Sequence, residues 1–171
     1  MSYLIPCSSA SDVQAALDRL GAEHRSATHI AFAFRIKTES GILSRMSDAG
    51  EPGGTAGKPI YLHLEGRRLI NCLLAVVRYF GGIKLGARGL TRACGNAARQ
   101  AIESNTLVPF VEYRKISVTI DYPKLHDLEY YLKNWEETIE SRSYGEGIEP
   151  VVSLPEPSVP EFEKLVAVQS G

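Results

Sequence analysis

The sequence lacks long apolar runs, paired cysteines and clustered histidines, and each shortage removes a class of function. No stretch of the 171 residues approaches the roughly 20 consecutive apolar residues of a membrane span. The opening "MSYLIPCSSASD" has no basic segment followed by an apolar core, so a secretory leader is not expected. A cytoplasmic protein with no membrane association is the expectation. The three cysteines, Cys7, Cys72 and Cys94, form an odd, widely spaced set without a CxxC pair, which suits reduced thiols. Cys72 stands in an apolar run and Cys94 among small helical residues, so both read as buried and inert. The four histidines, His24, His29, His63 and His126, have neither HExxH nor another zinc spacing. His29 opens an otherwise apolar strand and reads as a satisfied structural histidine. There is no G-x-S-x-G elbow. No catalytic residue, metal or cofactor is therefore assigned.

Charge is what the sequence has in a telling distribution. The net charge is −1, yet residues 57–100 carry eight basic side chains against the single acid Glu65, a net of +7. Residues 101–171 carry six basic and thirteen acidic side chains, a net of −7. A basic block inside a near-neutral chain points to a local anionic partner.

Periodicity divides the chain. Ser9 followed by Asp12 makes a capping-box pattern, Val13, Ala16, Leu17 and Leu20 recur at helical spacing, and Gly21 stands where a C-cap would fall. "HIAFAFRI", the turn "TESG" and "ILSRM" predict a hairpin. Pro59 suits the first turn of a short helix. The run 69–80, "LINCLLAVVRYF", predicts a strand covered on both faces. A helix is predicted from about Ala87 to Ser104, packing through Leu90, Ala93, Ala97 and Ala101. Beyond a boundary near residues 107–111, an alternating strand spans Ile116 to Tyr122. A helix carrying Leu125, Leu128, Leu132 and Trp135, a hairpin around "GEG" and a last amphipathic helix follow. The order β-α-β-β-α suggests a ferredoxin-like module lacking its final strand. Two domains are expected, 1–108 and 109–171.

Two stretches carry chemistry. In "VVRYFGGIKLGARGLTRACG", Gly82, Gly86 and Gly89 match neither the Rossmann nor the P-loop spacing. Their setting, a strand, a glycine-rich turn and a helix start, nevertheless suits an anion. Lys84 and Arg88 would add full charges there. Packing explains part of the pattern: Gly81 and Gly82 supply positive φ, and Gly89 lets the helix lie close to the sheet. It does not explain Arg88, Arg92, Asn96 and Arg99, which share one helical face. The dipole disfavours cations near a helix start, no acid interleaves until Glu103, and the planar arginine fork suits phosphate. With Arg78, this face is the candidate anion or nucleic-acid surface. In "SDAGEPGGTAGKP", Asp48 and Glu51 could chelate a metal or serve as acid and base. The alternative is an ordered turn in which Thr55 or Lys58 prepares the next helix. Residue types alone leave both readings open.

Together the two blocks, "SDAGEPGGTAGKPI" and "VVRYFGGIKLGARGLTRACGNA", resemble the signatures of the IMPACT/YigZ family. The resemblance covers about residues 8–106 well and the remainder loosely. The matching positions are Asp48, Gly50, Glu51, Pro52, Gly54, Thr55, Gly57 and Pro59, then Arg78, Tyr79, Gly81, Gly82, Leu85, Gly86, Gly89 and Arg92. Ala49 replaces a second acid, Arg88 a glycine, and Cys94 a tyrosine. The family's basic first strand is shortened to "MSYLIPC". The resemblance implies an α+β protein. Its N-terminal domain would be of the left-handed βαβ type, as in ribosomal proteins and domain IV of elongation factor G, and its second domain ferredoxin-like. It also implies a role in control of translation, with RNA, the ribosome or a translation-pathway protein as partner.

Three functions follow from these residues. A non-enzymatic RNA- or ribosome-binding factor uses the basic glycine turn and helix. With few aromatics near that block (Tyr61, Tyr79, Phe80), backbone or shape readout is expected over stacking. A phosphate-handling hydrolase would pair Lys84 and Arg88 with Asp48 or Glu51. A protein-interaction module would set Arg92 and its neighbours against an acidic partner.

Overall fold

The computed structural model describes residues 1–169. The chain divides into two compact units, Met1–Val108 and from Pro109 onward. Both are α+β with antiparallel strand pairing.

The first unit contains β1 (Ser2–Pro6), α1 (Ala10–Glu23), β2 (His29–Thr38), β3 (Gly41–Ser47), α2 (Gly57–Gly66), β4 (Cys72–Arg78) and α3 (Gly86–Glu103). The sheet order is β1-β4-β2-β3. β4 is antiparallel to both β1 and β2, so those two run parallel and α1 makes the crossover between them. The shortened first strand is still a full partner, with Ser2 to Pro6 in register with Val76 to Cys72.

β4 is central, and Cys72 to Val77 are all buried, as its apolar run requires. Alternation along β2 sorts the two faces. Phe34 and Ile36 pack with Leu73, Cys7 and the α1 residues Val13 and Ala16. Ala31 and Ala33 face the other way, with Leu74 and Val76, against Ile60 and Leu64 of α2 and Leu90, Cys94, Ala98 and Ile102 of α3. Small alanines on that face give two helices room to approach the sheet.

Three expectations are corrected. α1 runs through Gly21 and ends at the cap His24, because the exposed glycine costs only propensity in mid-helix. α3 buries Leu90, Cys94, Ala98 and Ala101, while Ala93 is exposed, so the packing face is turned by one residue. A Cβ at Gly89 would meet Leu85 Cβ at 3.2 Å, so its tight neighbour is the preceding turn and not the sheet.

The second unit contains β5 (Tyr113–Ser117), α4 (Leu125–Asn134), β6 (Ile139–Tyr144), β7 (Ile148–Pro155) and α5 (Val159–Gln169). Its sheet order is β5-β7-β6. Leu128, Leu132, Ile148, Val152, Leu154 and Phe162 form the core. β5 is shorter than its alternation predicts: it stops at Ser117, and Ile120 makes only an isolated bridge to Ile148. Pro123 then starts a helical turn at Tyr122.

Candidate nucleic-acid interface

The signature loop after β3 is held by one carboxylate. Asp48 Oδ2 accepts from Gly54 N at 2.8 Å, and Oδ1 accepts from Ala56 N at 2.9 Å and Gly57 N at 2.8 Å. Ala56, the residue preceding α2, has no capping side chain, so Asp48 caps the helix from eight residues upstream. Burial alone would raise the Asp48 carboxyl, but the three N–H donors outweigh it and hold it below its ordinary value. The Thr55 hydroxyl donates to Pro52 O at 2.6 Å and closes the turn. Ala49, Gly50 and Gly54 have φ of +49°, +88° and +75°. Lys58 is exposed on the first turn of α2.

Glu51 points inward, its side chain 5% exposed, and its Oε1 accepts from Arg78 Nη1 at 2.5 Å. The strand register sets His29 opposite Arg78. His29 Nδ1 lies 2.7 Å from the Ala49 carbonyl, which can only accept, so Nδ1 donates. His29 Nε2 lies 3.9 Å from Glu51 Oε1. The Arg78 guanidinium also lies over the Phe80 ring, 5.6 Å from its centroid. Arg78 is thus engaged by Glu51 and is not a free cation.

The glycine turn after β4 is exposed from Tyr79 to Ala87. Gly82 and Gly86 take φ of +88° and +68°, whereas Gly81 does not enter that region. The turn is anchored at its start. His24, 8% exposed, joins Tyr3 OH through Nε2 and Tyr79 OH through Nδ1, both at 2.7 Å. α3 then begins at Gly86 with no capping side chain and no acid in its first turn. Arg88, Arg92, Asn96 and Arg99 are exposed along it. Arg99 lies 3.9 Å from Glu103, which also takes Arg67 at 3.2 Å. Among the described residues, the side chains of Lys84, Arg88 and Arg92 have no hydrogen-bond or ion-pair partner.

The two signature blocks meet at a cleft of 390 Å³. Pro52, Phe80, Leu85 and Leu90 supply apolar wall, Thr28, His29, Glu51 and Arg78 a polar cluster, and Lys84 a charge. Thr28 was not singled out by sequence, and His29 was read there as a satisfied structural histidine and not as part of a site. The available signal was a polar pair opening an apolar strand, and only the β2–β4 register places it beside Arg78. Cys94 is buried and burial pushes its thiol up, while burial pushes the Cys72 thiol up to about 11.

Both blocks fall within the part of the chain that a family model matches. The Impact N-terminal domain matches residues 1–102. The IMPACT family member in the pol 5′ region of Thermus thermophilus is 35% identical, over 90% of this chain and 83% of its own length. The IMPACT family member YigZ of Escherichia coli (strain K12) is 34% identical, over 90% and 76% respectively. YvyE of Bacillus subtilis (strain 168), another member, is 33% identical over 86% and 67%. The chain belongs to the IMPACT family. A solved crystal structure of a hypothetical protein superposes with a TM-score of 0.68 at 28% identity, covering 99% of this chain and 94% of that one.

Proposed function

We propose that the protein is a non-enzymatic, cytoplasmic, translation-associated factor that binds the phosphate backbone of structured RNA, ribosomal RNA included. The binding surface is Lys84, Arg88 and Arg92, with Asn96 and Arg99 further along α3. One observation carries the reading: among the described residues, three exposed cations without a counter-ion line the beginning of α3, Lys84 and Arg88 where the dipole opposes them. An oligoanion would offset both the repulsion and the uncapped N–H groups.

The domain types support the same reading. We take the first unit as a left-handed βαβ domain like domain IV of elongation factor G. The second is taken as ferredoxin-like, its order β5-β7-β6 leaving the fourth strand position beside β5. Hydrolysis through Asp48 and Glu51 finds less support, since Asp48 is committed to three backbone N–H groups and Glu51 to Arg78.

Titration of a fluorescent RNA hairpin at about 0.1 M salt tests the proposal. The Lys84→Ala/Arg88→Ala/Arg92→Ala variant should bind at least tenfold more weakly than wild type, since each phosphate contact adds to an electrostatic affinity. Equal binding by both would refute it. Binding of an acidic protein in place of RNA would assign the same surface to a protein partner.

A further inference from the structure

We infer that the cleft between the two signature blocks receives one unpaired nucleobase of the bound RNA; this rests on the reading above. Several observations lead there. The cleft lies beside the free cations: Lys84 is shared between its lining and the phosphate surface, and its wall continues into Gly86 and Ala87, the first residues of α3. Its volume, 390 Å³, falls within the range of roughly 300–1,000 Å³ that holds small ligands. Its wall is apolar where a flat ring would lie, through Phe80, Leu85, Leu90 and Pro52.

Phe80 and Leu85 are 46% and 50% exposed beside the concavity. Arg78 covers part of Phe80, and the exposed remainder of the ring is available for stacking. The polar cluster is orientated before any ligand arrives. The Ala49 carbonyl fixes Nδ1 of His29 as a donor and so sets the ring, with Nε2 in the cleft lining 3.9 Å from Glu51 Oε1. Such a site would read an edge of the base with groups that need no rearrangement. A continuous duplex cannot present a base there without extruding it, so a bulge or loop is preferred. Stacking therefore enters recognition despite the scarcity of aromatics in the sequence.

The test uses the full chain and three fluorescent RNA hairpins: an uninterrupted stem, the stem with a one-nucleotide bulge, and the same bulge made abasic. Wild type should prefer the base-bearing bulge to the abasic one by at least fivefold, the scale of one stacked base. A 2-aminopurine at the bulge should change in fluorescence on binding. Phe80→Ala/Leu85→Ala removes exposed side chains and should abolish the preference while leaving the salt dependence intact. Equal affinity for all three RNAs, or a preference that survives in the variant, overturns the base cleft and leaves the backbone surface standing. Failure to bind any of the three overturns both.

Discussion

Asp48 shows how one side chain builds the loop that frames the cleft. Its two oxygens take three backbone N–H groups, those of Ala56 and Gly57 at the start of α2 and that of Gly54 in the loop before it. Asp48→Ala should cost about 1–2 kcal/mol, the scale of a lost helix cap, measured by urea unfolding. The sign of the pH effect follows from its lowered carboxyl. The contribution is full above the ordinary aspartate value, about 3.9, and is lost as pH falls through the lower folded value. Asp12, lowered chiefly by the Ser8 hydroxyl and N–H and then by the Ser9 side chain, acts with the same sign. Wild type should therefore lose stability more steeply than Asp48→Ala as pH falls below about 4. A parallel acid profile in the two proteins would contradict this role. At the thiols, burial predicts inertness: Cys72, pushed up to about 11, should resist a thiol reagent at pH 8 until the protein unfolds.

Among the elements, α2 approaches β3 more closely than any side chain permits. A Cβ at Gly57 would lie 2.8 Å from Ser47 C and 2.9 Å from its N and O. Gly57→Ala should therefore destabilise by about 1–3 kcal/mol although alanine is the better helix former. Thermal unfolding checks it; an unchanged or higher Tm would refute the contact. Much of this architecture was legible in the residues. The box at Ser9 and Asp12 forms as its spacing implies, and β4 is central because its apolar run admits no solvent face. Less legible features depended on tertiary context. The α3 face slips from Ala93 to Cys94 because a helix rich in alanine and glycine marks its buried side weakly in sequence. β5 ends at Ser117 although its apolar alternation continues to Tyr122. The cleft was illegible because His29 and Arg78, opposite in register, lie 49 residues apart in the chain.

For the whole molecule, charge separation between the units outweighs the net charge of −1. Residues 1–108 carry thirteen basic and eight acidic side chains, a net of +5, and residues 109–171 six and twelve, a net of −6. On the proposed function, attraction for a polyanion belongs to one region, and within it to cations that no acid pairs among the described residues. Arg99, close to Glu103, should contribute less than Arg88 or Arg92. The most direct test is the salt dependence of binding to structured RNA. For wild type, log affinity should fall linearly with log salt, and Lys84→Ala/Arg88→Ala/Arg92→Ala should flatten the slope by about two to three units. Arg99→Ala should flatten it by less than about one. Identical slopes for wild type and the triple variant would contradict the account, because these three cations would then neutralise no phosphate.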